Sequence, residues 1–272
     1  MDIITRIIFW MDMRKSNNDI YYFIAKTILL YTNEIPTMGI EELANLCYTS
    51  PATISRFCRR LSFNSFIELK QAFQAYHDYR KDEVVFSQDD IEQISADPHS
   101  MIDKTYPTSI DALMETYKIL DINTINKVTE ILYNAGHIAI FGSIFSHLVA
   151  RDCQYKFLRL EKFTTAFSDI DNQLEDAHDL VEGDAAIFFS VSGNSRSLKK
   201  IASIAKNKNI PIIVITNKIT SPLAKMGDYI IQMGGSESKF TKSSMSGRIA
   251  AMSIVDLLYT SLAFYREQQQ GE

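Results

Sequence analysis

Six residues, Ser190-Val191-Ser192-Gly193-Asn194-Ser195, gather hydroxyls and one glycine between two regular elements. The apolar run Ala185-Ala186-Ile187-Phe188-Phe189 before them has the length and composition of a buried strand. The stretch Leu198–Ala205 after them carries a helical pattern. A strand that ends in hydroxyls and then opens a helix makes an anion site: backbone N–H groups point out of the helix start, the macrodipole favours negative charge, and serine hydroxyls add donors. Gly193 lets the backbone approach a ligand without a Cβ in the way. The stretch has neither a P-loop lysine nor the G-x-G-x-x-G spacing, so it suits a small phosphate monoester better than a nucleotide. Serine-rich strand-to-helix turns also occur as plain helix N-caps, and the loop alone leaves both readings open.

The elements around the loop alternate. His137–Phe141 reads as a strand closed by Gly142-Ser143, and Ser146–Leu160 as a helix with Val149, Cys153 and Phe157 on one face. A weak strand at Phe163–Ala166, a short helix around Leu174–Leu180, the strand Ala185–Phe189 and a helix reaching Asn207 follow. Ile210–Thr216 is nearly all apolar, as a central parallel strand should be. Ser221-Pro222-Leu223-Ala224 makes a helical turn, Tyr229–Met233 a fifth strand, and about Ser246 to Arg266 a long final helix. Repeated β-α-β units predict a doubly wound parallel sheet of five strands. Ligands in such sheets bind beyond the carboxyl ends of the strands. Three segments converge there: Gly142-Ser143 through Ser146, the Ser190–Ser195 loop, and Thr216-Asn217. Hydroxyls at neighbouring strand ends suit a phosphorylated polyol.

The first third is all helical in pattern. Ile20, Phe23, Ile24, Thr27, Ile28 and Tyr31 recur at helical spacing, and Asn33–Thr37 breaks the pattern. A second helix is expected after Gly39, with Glu42 placed to cap it. A third starts at Ser50-Pro51, with serine as N-cap and proline at the first helical position. Its Ile54, Phe57, Cys58 and Leu61 form an apolar stripe, while the opposite face presents Ala52, Thr53, Ser55, Arg56, Arg59 and Arg60, three arginines and no acid. Helix, tight turn and basic second helix together read as a helix-turn-helix, whose small residues let the helix end reach base edges while arginines meet phosphates or guanine. An ordinary helical hairpin with a solvated basic face has the same pattern. Tyr48 stands in the turn, where a positive φ is often needed and glycine would fit more easily at a saving of about 1 kcal/mol. Phe63, Phe66, Leu69 and Phe73 continue as a core-facing helix.

The net charge of −5 is uneven. Residues 1–80 hold nine basic and eight acidic side chains, residues 81–135 four and eleven, and residues 136–272 fifteen and fourteen. The acidity therefore sits in a connector and does not exclude a nucleic-acid module at the N-terminus. Boundaries follow: an all-helical domain over 1–80, an acidic linker over 81–105, and an α/β domain over 106–272. Pro107 is expected to kink its helix or start a new one. No apolar run approaches the ~20 residues of a membrane span, and Met1–Trp10, which carries Asp2 and Arg6, reads as an amphipathic helix and not a signal peptide. Cys47, Cys58 and Cys153 lack metal-ligand spacing, so buried thiols in a reducing cytoplasm are expected, with no metal and no cofactor.

The C-terminal half resembles a SIS (sugar isomerase) domain, whose signature loop Ser-x-Ser-Gly-x-Ser/Thr stands here at Ser190–Ser195, followed by a strand ending in Thr216 and the Ser221–Ala224 turn. Ser50–Leu61 and the Phe63…Phe66-x-x-Leu69-Lys70 tail are similar to the RpiR-family helix-turn-helix, and Ser246-Gly247-Arg248…Val255-Asp256-Leu257-Leu258-Tyr259 to that family's last helix. The resemblance implies a bacterial transcription regulator with a phosphosugar sensor, bound to double-stranded operator DNA as a homodimer or homotetramer. It implies that Ser146, Ser190, Ser192 and Ser195 hold the effector, with Ser143, Gly193, Asn194 and Thr216 around them; Ser50, Ala52, Thr53, Ser55, Arg56, Arg59 and Arg60 would meet DNA. Departures are Ile144 at a usual glycine, Asn194 where Glu is common, and Ser62 and Ser65 in place of glycines after the recognition helix.

Two other functions remain. A phosphosugar isomerase or lyase with an accessory helical domain would need a general base. The signature loop has no acid, and Glu237 and His147 are the nearest candidates by sequence. No residue is expected to be catalytic. An interaction module with a vestigial site is the third reading, and the intact serines argue against it.

Overall fold

Strands of unbroken apolar residues are stable only when covered on both faces. In the computed structural model, which describes residues 3–12, 19–61, 63–80, 88–143, 145–235 and 245–270, three such strands form the centre of a sheet. Every residue of β1 (Ile138–Gly142), β3 (Ala185–Phe189) and β4 (Ile212–Thr216) is buried; β2 (Thr164–Thr165) and β5 (Tyr229–Gln232) are the edges. All neighbours run parallel, in the order β2-β1-β3-β4-β5. Gly142 lies opposite Phe189 and Phe189 opposite Ile215, so the carboxyl ends of the three central strands are level.

Alternation along the strands sends side chains to two cores. On one face Ile138, Ile140, Ile187, Phe189 and Ile215 pack with α7 (Ser100–Ile119), α8 (Ile122–Asn134), α9 (Phe145–Leu158) and α12 (Met245–Gln270). On the other, Ala139, Phe141, Phe188 and Val214 pack with α10 (Ile170–Asp179) and α11 (Arg196–Asn207). Each fully buried Ile or Phe contributes roughly 1.5–3 kcal/mol. α12 is long and apolar enough to cross a membrane by length and composition. Its Ala250, Ile254, Val255, Leu258 and Leu262 are buried in the first core, which accounts for that composition.

The chain divides into two units, Met1–Val85 and Phe86–Glu272. The first is built of α1 (Ile3–Asp12), α2 (Ile20–Leu30), α3 (Ile40–Leu46), α4 (Pro51–Arg60) and α5 (Phe66–Arg80). Ile7, Ile24, Ile28, Leu43, Ile54, Phe57 and Phe73 fill its core.

The described part of the acidic stretch 81–105 holds α6 (Gln88–Ala96) and the first turns of α7, within the second unit. α6 buries no residue, so it leaves no apolar period to read, and Asp89 and Asp90 stabilise its first turn against the macrodipole. An ion pair from Lys104 to Asp90 joins α6 to α7. Pro107 starts no new helix: α7 runs through it, packed on α12. Ser62, Ile144 and Glu237 lie outside the described residues.

Candidate effector site and nucleic-acid interface

The strand order places the topological switch between β1 and β3, because the chain winds toward β2 from one and toward β4 and β5 from the other. A crevice opens at such a point, outside the carboxyl ends of the two strands. The segments that leave β1 and β3 there are Gly142–Ser146 and Ser190–Ser195.

The Ser190–Ser195 loop is held by its own hydroxyls. Ser190 Oγ accepts from Gly193 N (3.2 Å), Ser192 Oγ from Asn194 N (3.4 Å), and Ser195, the N-cap of α11, from Leu198 N (3.4 Å). Gly193 has φ +61°, and its carbonyl accepts from Leu223 N at 3.1 Å, tying the loop to the Ser221–Ala224 turn. Asn194 and Ser192 are exposed, Ser195 is half-buried and Ser190 is buried. Thr216 is fully buried, its hydroxyl donating to Val191 O (3.0 Å) and accepting from Lys218 N (3.2 Å). It therefore ties the end of β4 to the backbone of the loop.

The cations of α11 are unusual for their place. Arg196, Lys199 and Lys200 occupy its first turns with no acid, where the macrodipole disfavours positive charge. A bound anion at the helix start would offset that cost.

The β1 loop is tight. Ser146 N donates to Ser143 O (3.0 Å), and a Cβ on Gly142 would meet Ser146 O at 2.6 Å. Gln173 of α10 donates through Nε2 to Gly142 O (3.0 Å) and Phe167 O (2.8 Å). Sequence reading missed Gln173, whose only local signal is a polar residue on the buried face of a short helix. His147 is half-buried, its Nδ1 has no hydrogen-bond partner, and burial with Arg151 nearby pushes its pKa down to about 4. Among the described residues no cluster of His, Cys, Asp and Glu suits a metal ion.

In the first unit α3, a four-residue turn and α4 succeed one another. Glu42 accepts from Gly39 N (3.4 Å) at the start of α3. α3 ends in a Schellman motif: Thr49 N donates to Ala44 O (2.9 Å), Tyr48 N to Asn45 O (3.1 Å), and Tyr48 takes φ +49°. Tyr48 is 90% exposed, so its strain is not offset by burial. Ser50 caps α4, accepting from Thr53 N at 3.3 Å.

Ile54, Phe57 and Cys58 are wholly buried, with Trp10 edge-on to Phe57 at 5.2 Å. That buried stripe turns Ala52, Arg56, Arg59 and Arg60 outward, with Thr53 and Ser55 half-buried. The hydroxyls of Ser50 and Thr53 lie 3.0 Å apart, and Arg56 Nη2 donates to Thr53 Oγ1 (3.2 Å). Arg60 lies instead over the Tyr21 ring, 4.3 Å from its centroid. The three buried thiols are free, as expected, and burial pushes Cys58 up to about 11.

Comparison with known proteins agrees with both halves. Residues 13–78 match the helix-turn-helix domain of the rpiR family and residues 131–261 the SIS domain. An uncharacterized HTH-type transcriptional regulator of Caldanaerobacter subterraneus subsp. tengcongensis is 32% identical over 243 residues, 88% of this chain and 84% of that one. The HTH-type transcriptional regulator RpiR of Escherichia coli K12 is 27% identical over 225 residues, 83% of this chain and 75% of that one. The structure of Vibrio vulnificus NanR complexed with ManNAc-6P shares the fold, with a TM-score of 0.57 at 22% identity over 98% of this chain and 94% of that one. A basic helix-turn-helix followed by a five-stranded parallel SIS domain, in one chain with relatives of this kind along most of its length, places it in the RpiR family of HTH-type transcriptional regulators.

Proposed function

We propose that the SIS domain of this regulator binds a phosphosugar, and that the bound effector changes the affinity of α4 for operator DNA. The observation that carries the reading is the pair of hydroxyl-bearing loops, Ser143–Ser146 and Ser190–Ser195, meeting at the switch point of the sheet beside an α11 whose first turns carry three cations. Ser192, Asn194, Ser195 and the N–H groups around Gly193 take the phosphate. Ser143, Ser146 and Ser190 face the sugar, and Thr216 supports the loop. NanR, of the same fold, is complexed with a phosphosugar. Ala52, Thr53, Ser55, Arg56, Arg59 and Arg60 form the DNA face, with Ser50 shaping its start. The chain acts in the cytoplasm and has no catalytic residue. Its relatives are named as regulators, and of Glu237 and His147, the candidate bases nearest by sequence, the described one, His147, has its pKa pushed down to about 4 by burial.

The assembly is a homodimer or homotetramer. Ile102, Tyr106, Ile110, Leu113 and Tyr117 line one exposed face of α7 at spacings of four and three. An exposed apolar stripe of five large side chains fits a second copy of the chain.

The test is thermal unfolding of wild type and Ser192→Ala against hexose phosphates and amino-sugar phosphates. Stabilisation should follow RT ln(1 + [L]/Kd) for at least one compound and weaken in the variant. If no phosphosugar stabilises wild type, the sensor reading fails; turnover of a phosphosugar would favour the isomerase reading instead.

A further inference from the structure

A small cavity opens on the α9/α12 side of the sheet, behind the two loops. Ser146, Ser190, Phe189, Met233 and Arg248 are among the residues that line it. Among the described residues of the lining, Arg248 is the only charged one. It belongs to the first turns of α12, about a hundred residues from Ser146 in the chain, and is seated there because Gly247 packs on Val191, where even a Cβ would stand 3.2 Å from Val191 Cγ1. The Arg248 guanidinium lies over the Phe145 ring, 5.5 Å from its centroid, and pairs with no carboxylate among the described residues. Two other cations of this unit are neutralised at home: Lys156 bridges Asp152 and Asp256, and Lys104 pairs with Asp90.

Position decides what Arg248 meets. The phosphate cradle opens on α11, which covers the opposite face of the sheet from α9 and α12. A ligand with its phosphate at the start of α11 must cross the level ends of β1 and β3 to reach the cavity. Its other end then arrives at Arg248. A guanidinium presents paired N–H donors in a plane, a geometry that matches a carboxylate and that a neutral hydroxyl satisfies only in part.

We propose that Arg248 reads the end of the effector remote from the phosphate and selects a sugar phosphate that carries a carboxylate there. The inference rests on the phosphosugar reading of the SIS loops. Effector binding draws the guanidinium from Phe145 onto the carboxylate.

The experiment measures affinities of 6-phosphogluconate, glucose 6-phosphate and glucitol 6-phosphate by calorimetry on the full chain, for wild type, Arg248→Lys and Arg248→Gln. The first and third probes share a six-carbon open chain and its phosphate and differ at the carbon remote from it. Wild type should prefer 6-phosphogluconate about tenfold or more over glucitol 6-phosphate, in line with a charge-assisted bidentate pair. Arg248→Lys should retain part of that preference and Arg248→Gln should bind the two alike. Equal affinities in wild type overturn the proposal, whatever the variants do, and so does a preference that survives in Arg248→Gln. Binding of none of the three, with no other phosphosugar stabilising wild type, is failure of the phosphosugar reading itself.

Discussion

A Cβ placed on Gly193 would stand 2.0 Å from Oγ of Ser221 and 2.4 Å from its Cβ. Gly193 is also in the left-handed region, at φ +61°. The signature loop and the Ser221–Ala224 turn are thus in contact at a point where no side chain fits, and the Leu223 N–H bond to Gly193 O fixes the same approach.

Gly193→Ala should therefore cost stability twice, through the backbone conformation and through the clash. Together these amount to roughly 2–4 kcal/mol. Urea unfolding should show the loss, and phosphosugar stabilisation should vanish in the folded fraction. Near-wild-type stability would mean that the turn moves aside without cost.

The arginines of α4 are not equivalent. Arg56 sits on the Ser50–Thr53 hydroxyl pair at the start of the helix, and Arg60 lies on Tyr21. Arg56→Ala should weaken operator binding and lower the slope of log K against log salt by about 1. Arg60→Ala should change that slope less, and should lower thermal stability through the lost ring contact. Operator titrations from low to moderate salt separate the two; an unchanged Arg56→Ala slope counts against α4 as the recognition helix.

The apolar stripe on α7 predicts the assembly. Tyr106→Glu combined with Ile110→Glu places two charges in it and should reduce the mass by light scattering to the 31.0 kDa of one chain. A mass above one chain that the two substitutions leave unchanged would move the interface to another face.

His147 predicts a pH dependence. Its pKa is pushed down from 6.5 to about 4 in the fold, so between those values the unfolded chain binds the proton that the folded chain refuses. Stability from this group is full above pH 6.5 and falls as pH drops to about 4, by on the order of 1–3 kcal/mol. His147→Gln removes the titration. The difference between wild type and variant in chemical denaturation should shift across that window and stay constant above it.

Local physics made much of this protein legible in its sequence. Ser50-Pro51 announces α4 because a hydroxyl cap and a fixed φ act within one turn, and the apolar runs announce β1, β3 and β4 because a strand buried on both faces admits few polar side chains. Even the positive φ at Tyr48 follows from the length of the turn. Tertiary structure decided what depends on distant packing. The order β2-β1-β3-β4-β5 alone puts Ser146 beside Ser190, since pairing between strands leaves no mark in either strand. α6 was hidden because an exposed helix has no apolar period, and Pro107 stays helical because α12 supports α7. The hydroxyl of Thr216, at the end of β4, is engaged by Val191 O and Lys218 N, a pairing that its place in the sequence does not announce. Arg248 reaches the cavity only because α12 folds back over the sheet, a placement set by the buried Ile254, Val255 and Leu258 and by no property of the arginine itself.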